Sequence, residues 1–455
     1  MSGKRSRKSK KFSLEAEMRK LPKALKPFYA TAESNERVQL YEGPLLLRGA
    51  TKRQRYQDEG KVYLRWQPFP RIEFEILGAR APSKAPRRGT VELSKLRWCS
   101  EFFITAQGGV EGRVRGVMTQ PLSGYLPRTR TRQVTSIIFH LPNTSDLVGE
   151  PVTEGTGFHT SRVRFQTDDW LVSIDILRHH RSLAENLSEK GGYAITATGK
   201  IEKLDGNRFD PAHAKRLITD LHWFFSFMWG RWTGPTLLVG LGAQGQRVWE
   251  NWSVPKLGPW SHVEPWIPRG EPQKLTEAFA GMHGLLDKPL WEHSITLAIH
   301  WYVEALNQAG AVHGGIIMSQ AAFELLWWTV FVGDGSIIHE PDKVIAADKI
   351  RLLLHHHGIP AEIPPPLKDL AKKAKAENWP DGPTAITQLR NMLVHPGKGR
   401  KHRPAPDGAP VVDAWKLAIW YLELTLLAAS GYRGVYCPRI PGGGNVLDTK
   451  RVPWA

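Results

Sequence analysis

The sequence has 455 residues, which is enough for two or three domains with substantial hydrophobic cores. It carries 62 lysine and arginine residues against 44 aspartate and glutamate residues. The resulting formal net charge of +18 favours a polyanionic partner such as nucleic acid or an acidic membrane surface. Its two cysteines, Cys99 and Cys437, exclude a disulfide framework or a cysteine-rich zinc site and indicate a reducing compartment.

Residues 1–27 form a basic N-terminal tail with ten lysine and arginine residues and two glutamates, a net charge of +8. Two interpretations are open: a disordered solubilising tail, or an electrostatic arm that binds RNA or DNA. No apolar segment of a secretory signal follows the basic run. The longest apolar run, Leu325–Val332, is shorter than the roughly 18 residues needed to cross a membrane. We therefore expect a soluble cytoplasmic protein.

Residues 28–268 show a mainly period-two pattern. In 71–78 and 170–177, apolar side chains alternate with glutamate, serine or aspartate, and 134–141 is rich in β-branched residues. These short segments predict an antiparallel β-rich domain, sandwich-like or barrel-like. One helix is predicted within this domain at 210–230, with Asp210 as its N-cap and Gly230 past its end.

A glycine-rich segment of this domain, "GLGAQG", places Gly240, Gly242 and Gly245 in the G-x-G-x-x-G spacing of dinucleotide-binding loops. Such a loop needs a helix directly after it, because the helix N-terminus holds the pyrophosphate. The chain continues instead with three tryptophans and two prolines in 246–260. We therefore predict a turn between strands, and a dinucleotide-dependent enzyme is the less favoured alternative.

Proline and glycine in 265–275 mark a linker, and beyond it the pattern becomes helical. The sequence predicts an all-α bundle over 272–430, with helices at 289–310, 316–334, 341–358, 383–396 and 410–431. Residues 431–455 are predicted to form an irregular tail. The expected fold class is therefore α+β and multidomain, with a β-rich N-terminal domain followed by a helical bundle.

Three consecutive histidines, His355–His357, end the third predicted helix of the bundle. They do not predict a metal site, because neighbouring residues on a helix point about 100° apart. Protonated imidazoles would instead interact favourably with the dipole at the helix C-terminus. We predict neither a metal nor a cofactor.

The candidate active site lies within "QLRNMLVHPGKGRKHR", residues 388–403, at the end of the fourth predicted helix, and its catalytic candidates are Arg390, Asn391 and His395. Asn391 and His395 share a helix face beside Arg390, and Pro396 should end the helix and leave the imidazole near solvent. Arginine binds phosphate and histidine exchanges protons near neutrality, so the cluster suits chemistry on a phosphate. The alternative is an ordinary polar helix end with a solvated loop. The loop adds four cations: Lys398, Arg400, Lys401 and Arg403.

These residues carry a resemblance to a known family. "LRNMLVHP" resembles the R-N-x-x-x-H motif of HEPN-superfamily ribonucleases. "LAIHWYVEALNQAG" and "MSQAAFELLWW" resemble the first two helices of the HEPN domain in the ApeA group of bacterial anti-phage proteins. "TSIIFHLPN", "ATGKIEKLDGNRFD" and "FFSFMWGRW" resemble the β-rich N-terminal domain of that group. The resemblance covers about 28–430 and does not explain the basic tail or the last 25 residues.

The resemblance implies a HEPN helical bundle and a metal-independent endoribonuclease that cleaves RNA to 2′,3′-cyclic phosphate ends. It points to tRNA anticodon loops as a target, and to abortive-infection defence set off by a phage-derived trigger. The β-rich domain over 28–268 would then be a sensor or regulator. Arg390 would bind the phosphate, Asn391 would orient it, and His395 would be the general acid or base. HEPN enzymes usually form homodimers with a composite active site, so we expect one here.

Two further roles follow from the resemblance. Glu324, inside the apolar helix 316–334, would hold Arg390 in place; a pair with another base or a protonated carboxyl are open alternatives. The cations of 398–403 would contact the RNA backbone without sequence preference. The alternative function is a non-catalytic HEPN nucleic-acid-binding or scaffold protein.

Overall fold

The computed structural model describes residues 18, 20–79, 81–109, 112–268, 271–307, 312–395, 406–440 and 449–455 of the chain. Within these residues a closed β-barrel, an eight-stranded sheet and a helical bundle follow one another along the sequence. A β-rich N-terminal part followed by a helical C-terminal part confirms the expected α+β organisation.

The barrel is built from six antiparallel strands. These are β1 Val38–Arg48, β2 Arg55–Arg65, β3 Arg71–Ile76, β4 Arg88–Leu93, β5 Trp98–Gly108 and β6 Arg113–Met118. Their order is β1-β2-β3-β6-β5-β4, and the pairing of β1 with β4 closes the barrel. Phe74 and Ile76 of β3 are fully buried among the interior side chains. Glu73, on the opposite face, is also buried, and it is paired with Arg65 and Arg71.

The second β unit is an eight-stranded sheet. Its strands are β7 Ser123–Tyr125, β8 Ser136–Pro142, β9 Glu150–Glu154, β10 Gly157–Gln166, β11 Trp170–Ile176, β12 Ile195–Lys203, β13 Thr236–Leu241 and β14 Arg247–Asn251. Their order is β7-β14-β13-β8-β12-β11-β10-β9, and every pair is antiparallel. Ile138 of β8 packs into the barrel core, whereas Ile137 and Phe139 pack into the core shared with the helices. The sheet therefore lies between the barrel and the bundle.

Two helices connect strands of this sheet: α1, His180–Lys190, and α2, Lys215–Trp229. The helix predicted at 210–230 is confirmed. Asp210 Oδ1 accepts a hydrogen bond from the backbone N–H of Ala212 at 2.9 Å, and Gly230, with φ 62°, ends the helix. The sequence did not predict α1. "GLGAQG" forms the turn between β13 and β14, as predicted.

The bundle contains seven α-helices within the described residues. They are α3 Pro272–Leu286, α4 Pro289–Asn307, α5 Val312–Trp328, α6 Ala346–His356, α7 Lys368–Ala376, α8 Gly382–Val394 and α9 Ala409–Ala429. The five predicted helices correspond to α4, α5, α6, α8 and α9. The sequence missed α7, and it also missed α3, which begins inside the segment interpreted as a linker. Helix α5 is central, because it packs against α4, α6, α8 and α9.

One helical stretch has the length and apolar composition of a membrane span. Val312–Asp334, which joins α5 to a π-helical turn at Thr329–Asp334, could cross a membrane by length and composition, with a mean hydropathy of 1.4. It is not an uninterrupted apolar run, since it contains polar residues such as Gln320 and Glu324. Within the protein, 61% of its apolar window is buried. This burial is consistent with a core helix of a soluble protein.

Both ends of the described chain pack against the core. The backbone N–H of Ala24 donates to the carbonyl of Thr153 in β9 at 2.9 Å, so part of the predicted basic tail lies on the sheet. Residues 1–17 and 19 of that tail lie outside the described residues. In the predicted irregular C-terminal tail, two short strands pair: β15, Val435–Tyr436, and β16, Lys450–Arg451. One continuous apolar core extends from the sheet through the bundle into this tail.

Candidate active site

Helix α8 positions the candidate site. The carboxylate of Asp381 caps its N-terminus, and Oδ1 accepts a hydrogen bond from the backbone N–H of Thr384 at 2.9 Å. Burial alone would raise the pKa of Asp381, but hydrogen bonds from Arg351 and Thr384 hold it below the usual range. The helix ends at Val394, and His395 is its C-cap. The termination expected from the following proline is therefore confirmed.

Arg390 lies in the last turns of α8 and is half-buried. Its Nη1 donates a long hydrogen bond of 3.3 Å to Oδ1 of Asn391. Its Nε is buried without a hydrogen-bond partner. Among the residues that the structure describes, Arg390 forms no ion pair, so its positive charge is available to an anion.

His395 is exposed at the end of the helix, as expected from the sequence. The backbone N–H of His395 donates a hydrogen bond to the carbonyl of Asn391 at 2.9 Å. This bond places the backbone of His395 about one helical turn after Asn391. Its imidazole has no hydrogen bond within the described part of the chain. Pro396 lies outside the described residues. The four residues predicted to contact RNA also lie outside them: Lys398, Arg400, Lys401 and Arg403.

Glu324 lies on α5, which packs against α8. It is half-buried and accepts a hydrogen bond from Nε2 of Gln320 at 2.9 Å. No ion pair between Glu324 and Arg390 is formed among the described residues of the single protomer, and the support role expected of Glu324 stays a prediction. The carboxylate keeps part of its hydration, so it does not require a counter-cation as a fully buried one would.

A stripe along α5 explains the partial exposure of Glu324. Every third or fourth residue on this face is half-buried or exposed: Gly314, Ile317, Ala321, Leu325 and Trp328. We call these five residues the α5 stripe. Trp328 is 41% exposed, which is high for so large an apolar side chain. The sequence of α5 is nearly apolar on every face, so the open stripe could not be predicted from it.

Two other groups of titratable side chains contain residue types that bind metal ions. His355 and His356 are exposed, whereas burial lowers the pKa of His357 to about 4, so this histidine is neutral and does not act as the predicted dipole partner. Asp220, His283 and Asp287 lie close enough together to hold an ion. Arg216 and His283 already bind the Asp220 carboxylate, at 3.1 and 2.8 Å, which leaves little negative charge for a cation. This cluster was not predicted, because Asp220 lies on α2 whereas His283 and Asp287 lie at the C-terminal end of α3.

Two parts of the chain match known protein families. Residues 129–263, which hold most of the eight-stranded sheet, match the YopA central domain, and residues 288–448 match the YopA C-terminal domain. The chain is also similar to the SPbeta prophage-derived uncharacterized protein YopA of Bacillus subtilis (strain 168), with 25% identity over 432 residues. This alignment covers 92% of the chain and 95% of the relative. No solved structure matches the chain. Neither domain name states an activity, so function is argued from the site.

Proposed function

We propose that the protein is a metal-independent endoribonuclease in which Arg390, Asn391 and His395 are the catalytic residues. The observation that carries the proposal is the end of α8. There an arginine without an ion-pair partner among the described residues lies little more than one turn from an exposed histidine. Cleavage of a phosphodiester needs a cation for the phosphate oxygens and a group that transfers protons, and this turn supplies both. The net charge of +18 supports a polyanionic substrate.

The proposed reaction is an internal transesterification. A histidine removes the proton from the RNA 2′-hydroxyl, and the 2′ oxygen attacks the adjacent phosphorus. The bond from phosphorus to the 5′ oxygen breaks, and a second proton donor protonates that leaving oxygen. The products are a 2′,3′-cyclic phosphate and a free 5′-hydroxyl. Arg390 stabilises the charge that builds up on the phosphate oxygens, and Asn391 orients the phosphate or the imidazole.

A homodimer would complete this site. One protomer brings a single histidine to the end of α8, whereas the reaction uses both a base and an acid. The α5 stripe supports dimerisation, because it leaves apolar side chains open on the helix that packs against α8. A two-fold axis along this face would bring two copies of the site together. Glu324 lies between Ala321 and Leu325 of the stripe, so its carboxylate would support Arg390 at this interface.

The substrate and the setting are also part of the proposal. Single-stranded RNA loops expose their bases and 2′-hydroxyls, so we propose cleavage in such loops, with tRNA anticodon loops as the first candidates. The cations Lys398, Arg400, Lys401 and Arg403 would bind the RNA backbone. The prophage origin in the name of the Bacillus relative supports a role in conflict between phage and host. We place the activity in the cytoplasm, in abortive infection, with a phage-derived trigger sensed by the β-rich domains.

The decisive experiment mixes the purified full-length protein with total RNA in excess EDTA and maps the new ends. Cyclic-phosphate ends that depend on His395 and Arg390 are expected. Cleavage that survives alanine at both positions would place the active site elsewhere. Absence of cleavage, even with lysate from phage-infected cells added as the trigger, would contradict the ribonuclease and favour a non-catalytic nucleic-acid-binding protein.

A further inference from the structure

A buried arginine without a counter-ion lies at the junction of the sheet and the bundle. Arg231 follows Gly230 at the end of α2 and is only 2% exposed. Its hydrogen bonds are long: Nη1 donates to the carbonyl of Asn143 at 3.3 Å, and Nη2 approaches Ser145 Oγ and the carbonyl of Val263, both at 3.5 Å. Its Nε is buried without a partner. No carboxylate of the described chain forms an ion pair with it.

Such a cation is unfavourable unless something neutralises it. Burial lowers the pKa of Arg231 to about 10, so the guanidinium is still charged at neutral pH. It stacks on the ring of Trp260 at 4.5 Å, which offsets only part of the lost hydration. Glu264 is exposed and favours the charged form of Arg231, but it makes no ion pair with it. A buried charge is ordinarily in contact with an opposite charge, and no described carboxylate forms an ion pair with this one.

The guanidinium borders a cavity of about 390 Å³. Two hydrogen-bond donors of the cavity wall are buried without partners: Trp260 Nε1 and Ser261 Oγ. The wall also includes the exposed carboxylates of Asp146 and Glu264, and Arg439, which is already paired with Glu423. A ligand that satisfies arginine, indole and hydroxyl groups together is one rich in acceptors, as phosphates and carboxylates are. The volume falls within the roughly 300–1,000 Å³ of ordinary small-molecule sites.

We propose that this cavity binds a small molecule through an oxyanion group, a phosphate or a carboxylate, held by Arg231. The planar guanidinium suits such a group, because its N–H donors match two oxygens at once. The cavity lies where the sheet domain, the bundle and the C-terminal tail meet. The wall joins residues of the sheet domain, of α3 at Leu275 and of the tail at Arg439, so an occupant contacts both halves of the molecule. Binding here is independent of RNA cleavage, since none of the proposed catalytic residues lines the cavity.

The test measures thermal unfolding of the full-length protein with three probes at equal ionic strength: sodium phosphate, adenosine 5′-monophosphate and sodium succinate, with sodium chloride as the baseline. The Arg390→Ala background removes anion binding at the candidate active site. A saturable rise in melting temperature, on the order of a few degrees at concentrations about 100-fold above Kd, supports the proposal. A comparison of the rise with phosphate and the rise with succinate shows whether the site prefers a phosphate or a carboxylate. A larger rise with the nucleotide than with phosphate shows that the rest of the cavity contributes to binding. No saturable rise with any probe overturns it.

Variants of Arg231 show whether this residue is responsible for binding. Arg231→Met should abolish the rise and, without ligand, should melt no lower than its parent, because it removes an unpaired buried charge. Arg231→Lys keeps the charge but loses the planar fork, and should weaken binding about tenfold. Arg178→Met, a change at an exposed arginine, is the matched control and should respond like its parent. A rise that persists in both Arg231 variants would overturn the proposal.

Discussion

Arg439 of the C-terminal tail donates a hydrogen bond from Nε to Oε2 of Glu423 in the middle of α9, at 2.6 Å. The hydroxyl of Tyr302 donates to the same carboxylate oxygen at 2.6 Å and accepts from Arg439 Nη2 at 2.6 Å. Glu423 and Tyr302 are fully buried. Burial alone would lower the pKa of Arg439, but the Glu423 carboxylate and Tyr302 more than offset it. A charged triad therefore fastens the tail to the bundle core.

Removing one member of this triad should be costly. Glu423→Gln leaves Arg439 buried without its counter-ion, and we expect it to lower the free energy of unfolding by about 3–5 kcal/mol. The double change Glu423→Leu with Arg439→Met removes both charges and should cost less than Glu423→Gln alone. Chemical denaturation checks the order. Glu340→Gln, which breaks the exposed pair with Lys343, is the control and should be close to neutral. Equal losses in Glu423→Gln and Glu340→Gln would contradict the prediction.

Acid should destabilise the sheet through His140. Its Nε2 accepts hydrogen bonds from the backbone N–H groups of Phe28 and Tyr29 at 3.1 Å, and its Nδ1 donates to the carbonyl of Leu237 at 2.9 Å. Burial, together with nearby Arg247, lowers its pKa to about 4 despite the hydrogen bonds to backbone carbonyls.

In the unfolded chain a histidine titrates near pH 6.5, so between pH 6.5 and 4 the unfolded state binds the additional proton. The contribution of His140 is complete above pH 6.5 and is lost as the pH falls towards 4, by up to about 3 kcal/mol. His140→Gln keeps a donor and an acceptor but cannot be protonated. Urea unfolding between pH 7 and 4.5 should therefore show a shallower slope for this variant, whereas His355→Gln, at an exposed histidine, should match the parent. Identical slopes for all three proteins would rule out this role.

The proposed ribonuclease activity should fall by different amounts in different variants. His395→Ala and Arg390→Ala should each reduce RNA cleavage by about 10²–10⁴, because proton transfer and charge stabilisation contribute effects of that size. Gln388→Ala changes an exposed residue of the same helix and should leave cleavage unchanged. Single-turnover assays with a labelled tRNA measure these rates. Glu324→Gln should reduce cleavage less than either change; full activity in this variant would remove the support role from Glu324.

The proposed dimer can be separated from the chemistry. Leu325→Glu places a charge in the α5 stripe and should shift the protein from dimer to monomer in sedimentation velocity, with loss of cleavage. Phe69→Glu changes an apolar side chain of the barrel that is 61% exposed, and should affect neither property. A wild-type protein that is monomeric at micromolar concentration but cleaves RNA would contradict the composite site.

Much of the fold was readable from the sequence, and the failures have physical causes. Local signals predicted the helices that have caps and apolar faces, such as α2, which follows a 3₁₀ turn capped by Asp210 and ends at Gly230. Helix α1 was missed because its sequence is mostly polar and only Leu183, Leu187 and His180 are buried. The division into barrel and sheet was also missed. Both faces of β8 are covered, so its seven residues show no alternation that would assign it to one face.

In the candidate site, too, features set by the local sequence were predicted, whereas features set by tertiary packing were not. The end of α8 and the exposure of His395 follow from a proline and a helix period, both local. The partner of Glu324 depends on which face of α5 meets other helices, and that is set by the whole bundle. Arg231 gave no sequence signal, since Asn143, Ser145 and Val263 approach it only through the tertiary fold.

The carbonyl of Pro406 accepts a hydrogen bond from Nε2 of His313, at the start of α5, at 2.9 Å. His395 and Pro406 therefore anchor both ends of the connection that carries Lys398, Arg400, Lys401 and Arg403. Each of these cations is at most five residues from one anchor in the sequence, and five residues reach at most roughly 18 Å. Covalent length alone therefore limits how far each cation can lie from His395 or from Pro406, whatever path the connection takes.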